Sequence, residues 1–356
     1  MKAWVLHGVN DIRFEETEEP VLAENEVLVS VQAAGICGSD IPRIYETGAH
    51  VHPLIPGHEF SGQVIKAGKS VDEKWLGKRA GIFPLIPCRN CTACQKQHYE
   101  LCRNYSYLGS RRNGGFAEYA AVPDWNLIEL PDNVSYEEAA MLEPMAVAVH
   151  AMRRVRPQKN DTVVIYGLGT IGMLLFLFLK DAGIENILVI GNKEFQKNTV
   201  LKFGLDEKCY CDSKTQGVFE WILQQTEKRG ADVFFECVGR NETVSQAVDL
   251  TAPMGRICMV GNPYSDMTLE KFVYWKILRN QLTITGTWNS SFTHQDDDDW
   301  HYVLDRLAQK RIAPKALISH EFKLCDAKNG FLTMRDKRED YMKVILHGFL
   351  PVTGTE

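Results

Sequence analysis

Apolar and polar positions alternate along Glu26-Val-Leu-Val-Ser-Val-Gln32, with β-branched residues among them, which predicts a strand. Residues 60–65 and 115–122 predict further strands, each cut by glycines. Short strands with Gly and Pro punctuation over residues 1 to about 150 predict an all-β, barrel-like unit. The texture changes near Asp161. Asp161-Thr-Val-Val-Ile-Tyr166 is a continuous apolar run, followed by a glycine turn, a helical stretch at 171–182 and a second buried strand at 186–190. That is a βαβ unit, which predicts a parallel sheet covered by helices on both faces. Strands at 232–236, 255–260 and 282–285 alternate with helices at 220–228 and 242–250, carrying the sheet onward. The one low-complexity run, Asp296 to Asp299, reads as a solvated loop, with a calcium site as the alternative.

A chain of 356 residues exceeds one ordinary core and points to about two domains. Its 45% hydrophobic and 24% charged residues are those of a globular protein. A net charge of −6 disfavours nucleic acid and anionic membrane as partners, because both need a basic footprint. The N-terminal residues hold no signal-like apolar run, and the apolar stretch at 171–179 stops at Lys180 and Asp181, short of roughly 20 residues for a span. The expected location is therefore cytoplasmic. In that setting the ten cysteines are metal ligands or packed thiols rather than disulfides.

Cys37, His58 and Glu59 bring a thiolate, an imidazole and a carboxylate within two dozen residues, the donor mixture zinc accepts. Read from the residues, this is a catalytic metal site; the alternative is a packed cysteine and an unrelated His-Glu pair. Cys88-x2-Cys91-x2-Cys94-x7-Cys102 supplies four thiolates from one short loop, enough to enclose a second zinc tetrahedrally with no position left for substrate. That site is expected to be structural, holding a lobe with little apolar sequence of its own. Free thiols are one alternative. A nucleic-acid zinc ribbon is the other, disfavoured by the chain's acidity. Cys209, Cys211, Cys237, Cys258 and Cys325 are expected in the core.

Gly167-x-Gly169-x-x-Gly172 follows a predicted strand and opens a predicted helix, the context in which this pattern binds a dinucleotide pyrophosphate. Thr170, Ile171, Gly261 and Thr287 join the expected cofactor set. At the end of the second strand, where an acid would hold the adenosine ribose, stands Gly191, followed by Asn192 and Lys193. No carboxylate there repels a 2′-phosphate and Lys193 can pair with one, so the reading leans to NADP. NAD held through Asn192 or a water is the alternative.

With these pieces the chain resembles the zinc-dependent medium-chain dehydrogenases over its full length, in their sorbitol and polyol-phosphate branch. The resemblance is carried by Cys37-Gly-Ser-Asp40 with Pro42-Arg43-Ile44, Gly57-His-Glu-Phe-Ser-Gly62, the four-cysteine loop, Gly109-Ser-Arg-Arg-Asn-Gly-Gly-Phe-Ala-Glu-Tyr119 and Leu142-Glu-Pro-Met145. It implies a GroES-like β-barrel catalytic domain at 1–150, a Rossmann domain with a doubly wound parallel sheet at 151–287, and a return to the catalytic domain at 288–356. It implies Cys37, His58 and Glu143 as ligands of the catalytic zinc, with Glu59 beside the metal. Ser39 becomes the proton acceptor or relay hydroxyl, and Asp40 the group that orients a ligand. The reaction implied is hydride transfer between NAD(P) and a secondary alcohol, in a homodimer or homotetramer. Several relatives place a relay histidine where this chain has Pro42, which leaves water, Glu59 or His50 to pass the proton on.

Arg43, Arg111 and Arg112 lie in loops flanking the metal motifs, and a guanidinium fork suits a phosphate monoester. The expected substrate is thus a polyol phosphate such as galactitol 1-phosphate, with Tyr45 and Trp288 as pocket walls. Arginines paired with nearby acids would instead leave an unphosphorylated polyol, a vicinal diol or threonine. A non-catalytic NADP-binding relative is the alternative of another class.

Overall fold

The computed structural model describes residues 1–349. The chain divides into two compact units, one formed by Met1–Glu143 with the chain from Ser291 onward, the other by Pro144–Ser290.

In the second unit, continuous apolar runs form a six-stranded sheet in which every pair is parallel. Its order is Tyr210–Asp212, Asn186–Gly191, Thr162–Tyr166, Ala231–Glu236, Thr251–Met259, Thr283–Gly286. The chain starts in the middle, winds outward one way and then the other, so the order reverses beside Thr162–Tyr166; ligands bind at such a reversal. Val163, Val164 and Ile165 are fully enclosed, as burial on both faces requires. The helix Thr170–Asp181 follows directly, with Gly169 as its N-cap.

In the first unit the order along the main sheet is Ile318–Lys323, Lys343–His347, Glu26–Ile36, Glu59–Ala67, Arg79–Ile82, Leu127–Glu129, and Tyr119–Pro123 pairs Glu26–Ile36 as well. Glu26–Ile36 is the hub: three neighbours bond to it, all antiparallel. The strand near the C-terminus, Lys343–His347, thereby returns to the first unit, with Val344 opposite Ile36 and Ile345 opposite Gly35.

Three expectations are corrected. The strand predicted at 115–122 is shorter, Tyr119–Pro123. Gly114, Gly115 and Phe116 instead donate to the carbonyls of Ile55, Gly57 and Pro56, binding this segment to the loop before His58. The acidic run is not uniformly solvated, for Asp298 and Asp299 are buried. Asp298 caps the helix Asp299–Ala308 by accepting from His301 N at 2.8 Å, and its other oxygen accepts from Thr293 N at 2.8 Å. Asp299 accepts from Ser291 N at 2.8 Å. These carboxylates satisfy backbone amides, the local role of an N-cap. Of the five remaining cysteines, Cys325 is exposed rather than packed.

Loss of the Asp298 cap should cost about 1–2 kcal/mol. Urea unfolding of Asp298→Ala is expected to show a lower midpoint, while Asp296→Asn, at an exposed position, should leave it unchanged. Equal midpoints for all three proteins would remove the capping role.

Candidate metal and cofactor sites

The hub strand ends at Ile36, and the turn after it delivers Cys37; Asp40 N closes that turn on the Cys37 carbonyl at 3.0 Å. His58 stands immediately before the neighbouring strand Glu59–Ala67 and follows Gly57 at φ 93°, where a Cβ would lie 2.5 Å from the Phe116 ring. No other residue fits that turn. Ligand atoms of Cys37, His58 and Glu59 then all lie within 4.8 Å of one another, with His58 and Glu59 buried. A soft sulfur, an imidazole nitrogen and a carboxylate at this spacing fit a zinc ion with an open position.

Asp40 organises these donors. It is fully buried, accepts from Cys37 N at 3.0 Å and from Arg43 at 2.6 Å, and lies 3.5 Å from His58 Nδ1. Burial opposes its charge, but His58 and Arg43 outweigh burial and hold its pKa below the usual carboxylate value. Burial likewise opposes charge on His58, yet Asp40 and then Cys37 raise the ring's pKa well above the ordinary range. Ser39 Oγ donates to Cys37 Sγ at 3.3 Å.

Glu143 stands in the first turn of the helix Leu142–Val155 and is buried. Its carboxylate does not join Cys37 and His58 within the same 4.8 Å spacing; Tyr107 Oη donates to it at 3.3 Å. Burial, with Glu59 nearby, pushes the Glu143 pKa up to about 7.

Sequence reasoning missed Lys343. Its ammonium is buried, donates to the Ile36 carbonyl at 3.2 Å and pairs with Glu59. Burial opposes the charge, but Glu59 and Cys37 raise the Lys343 pKa. The pair lies over Gly35, where a Cβ would meet Glu59 Oε2 at 2.3 Å. Nothing local in Tyr-Met-Lys-Val-Ile marks this lysine; only the strand pairing places it.

In the second metal-like cluster, Cys91 Sγ is 3.6 Å from Cys94 Sγ and 3.9 Å from Cys102 Sγ, and Cys88 Sγ is 4.0 Å from Cys94 Sγ. Sulfurs about 2.3 Å from a tetrahedral zinc stand about 3.8 Å apart, so the thiols are spaced for that ion. Backbone amides of Cys94 and Arg103 aim at Cys91 and lower its thiol pKa to about 6.

In the Pro144–Ser290 unit, Gly167 has φ 105°, and a Cβ on Gly172 would lie 1.9 Å from the Gly167 carbonyl, so helix and strand approach as the fingerprint requires. Thr170 and Ile171 form the first turn of that helix. Gly191 ends its strand, Asn192 is exposed and Lys193 is the N-cap residue of the helix Glu194–Lys202. Gly261 N and Val260 N donate to the Glu236 carbonyl, and Thr287 N to Met259 O. Sequence reasoning also missed Glu236. This buried carboxylate accepts from Val238 N and Gly239 N at 2.9 Å and from Thr243 Oγ1 at 2.7 Å, pinning the turn that lies against Gly167.

Of the residues expected at substrate, two arginines are engaged by acids. Arg43 pairs with Asp40, and Arg112 with the buried Glu26. Arg111 is exposed, its guanidinium 4.6 Å from the Tyr105 ring centre. Tyr45 is covered by Arg335 at 4.7 Å, and Trp288 is exposed.

Residues 23–132 match the alcohol dehydrogenase GroES-like domain and residues 170–309 the zinc-binding dehydrogenase family. Galactitol 1-phosphate 5-dehydrogenase of Escherichia coli is 32% identical over 88% of this chain and 91% of its own length. A crystal structure of galactitol-1-phosphate dehydrogenase from Escherichia coli superposes with a TM-score of 0.91 at 30% identity, covering 98% of this chain and 100% of that one. Sorbitol dehydrogenase of Bacillus subtilis is 28% identical over 98% of this chain and 97% of its own. A zinc-binding dehydrogenase from Sinorhizobium meliloti, bound to NADP, has a TM-score of 0.89 at 28% identity over 98% and 99% of the two chains. With its GroES-like and Rossmann-type domains, the chain belongs to the zinc-dependent medium-chain alcohol and polyol dehydrogenases.

Proposed function

We propose that this protein transfers a hydride between NADP and a secondary alcohol of a polyol phosphate such as galactitol 1-phosphate, with one catalytic and one structural zinc per chain. The reading is carried by the convergence of Cys37, His58 and Glu59 within 4.8 Å, together with a separate four-thiol cluster. Cys37 and His58 would hold the catalytic ion with Glu143 or Glu59, and Cys88, Cys91, Cys94 and Cys102 the structural one. Zinc in the first site supplies a Lewis acid that lowers an alcohol's pKa and polarises the corresponding ketone. Asp40 keeps Cys37 and His58 oriented, and Ser39 offers the hydroxyl nearest the sulfur. With Pro42 carrying no transferable proton, release to solvent runs through water, Glu59 or the exposed His50. The free thiols favour a reducing, cytoplasmic setting.

Lys193 at a helix start, with no acid at Gly191, supports NADP. For phosphate, Arg111 is, among the described residues, the one of these three arginines that pairs with no acid, and the likeness to galactitol 1-phosphate 5-dehydrogenase supports the class. The pairing of Arg43 and Arg112 with acids favours a second reading, an unphosphorylated polyol, diol or threonine. A homo-oligomer is supported by Phe272, Trp275 and Leu278, each more than half exposed on the helix Lys271–Arg279 beside the edge strand Thr283–Gly286.

Removing zinc by chelation is expected to abolish hydride transfer and zinc alone to restore it, while His58→Gln should lower kcat about a thousandfold, the effect of several kcal/mol. Activity that survives full metal removal would exclude this chemistry, whereas zinc-loaded protein that binds NADP but transfers no hydride would favour the non-catalytic relative. Comparing kcat/KM for galactitol 1-phosphate, galactitol and sorbitol with each cofactor tests the substrate; Arg111→Ala should cost the phosphorylated substrate about tenfold and leave the bare polyols alone. Preference for a bare polyol, or for NAD, sinks the corresponding half of the proposal. Light scattering should report a dimer or tetramer, and a monomer at micromolar concentration would refute the oligomer.

A further inference from the structure

Two carboxylates, Glu59 and Glu143, stand beside Cys37 and His58, and their partners differ in kind. Glu59 is held by the buried ammonium of Lys343, which cancels its charge. Glu143 is held by a phenol, Tyr107 Oη at 3.3 Å, which donates one hydrogen bond and cancels nothing. A divalent ion with one thiolate and one carboxylate that stands outside any described ion pair is neutral overall, the least costly state for a buried site. That charge balance selects Glu143, with Glu59 already neutralised by lysine.

We propose that Tyr107 is a positioning residue for the catalytic metal: its hydroxyl holds one oxygen of Glu143 so that the other is available to the ion. This rests on the zinc-dehydrogenase reading above. Tyr107 is well placed for the task, because its own position is fixed by other means. Its backbone lies in the strand Ser106–Tyr107, opposite Leu85, and its carbonyl accepts from Arg111 N at 2.9 Å and Arg112 N at 3.1 Å. Its ring stands 5.8 Å from the His58 ring and 6.1 Å from that of Tyr105. The strand begins four residues after Cys102, so the four-thiol lobe and the catalytic site are joined through this short segment. Among the described residues Glu143 is the one hydrogen-bond partner of the hydroxyl, and the bond spans 36 positions of sequence.

Tyr107→Phe removes the hydroxyl and keeps the ring. Zinc release to a colorimetric chelator, followed with whole protein, reads the two sites apart, and the zinc of the four-thiol loop serves as the folding control. The variant is expected to release its second zinc about tenfold faster than wild type, the usual effect of removing a group bonded to a metal ligand. Cobalt substituted into the catalytic site should show shifted visible bands in Tyr107→Phe. Because the hydroxyl acts through Glu143, adding Tyr107→Phe to Glu143→Gln should change nothing further. Tyr107→Leu is the second variant, with the same expectation, should Tyr107→Phe not fold. Wild-type protein with zinc in both sites, and variants that release it at the wild-type rate or additively with Glu143→Gln, overturns the proposal alone. Wild-type protein that holds zinc only in the four-thiol loop overturns the underlying reading together with it.

Discussion

The ion pair between Lys343 and Glu59 ties the catalytic half of this molecule together. Both groups are nearly inaccessible, and either alone would leave a charge stranded in a medium of low polarity, a cost of several kcal/mol. The pair forms only when Lys343–His347 lies beside Glu26–Ile36, which in turn must carry Gly35 where the two side chains meet. A segment 284 positions away in sequence is thereby required for charge balance beside Cys37 and His58. The return of the chain to its first unit is thus a condition of the site as well as a feature of topology.

The same logic runs through the neighbouring groups. Asp40 is enclosed and charged, and it is tolerated because Arg43, His58 and the Cys37 amide surround it. Arg43 therefore works as a counter-ion one turn along its helix. Glu26 does the equivalent for Arg112 at the other end of the hub strand. Charges that look like substrate-binding tools in a linear reading are partly consumed in keeping a buried polar cluster neutral.

The two metal-like sites differ in how they are built. The four-thiol cluster comes from one loop of fifteen residues, its sulfurs already at tetrahedral spacing and its amides aimed at Cys91. The Cys37 and His58 site is assembled from adjacent strands and a distant helix start, so its geometry depends on sheet register. The glycine turn of the other unit resembles the four-thiol loop in being local: Gly167, Gly169 and Gly172 are set by a strand, a turn and a helix in immediate succession.

What the sequence by itself determined follows from that distinction. The parallel sheet, the dinucleotide turn and the four-cysteine lobe were legible, because each rests on short spacing or on periodicity within consecutive elements; Cys37 and His58 were marked by their donor chemistry, and the pairing of Glu26–Ile36 with Glu59–Ala67 brings them together. Tertiary structure alone decided which carboxylate is neutralised, that Tyr107 holds Glu143, that Glu236 pins the turn beside Gly167, and that Asp298, a helix cap, and Asp299 are buried against backbone amides. The physical reason is that a charge or hydroxyl takes its role from the partner it is buried with. Those partners are brought together by strand pairing and helix entry, which a string of residues does not encode at any fixed spacing.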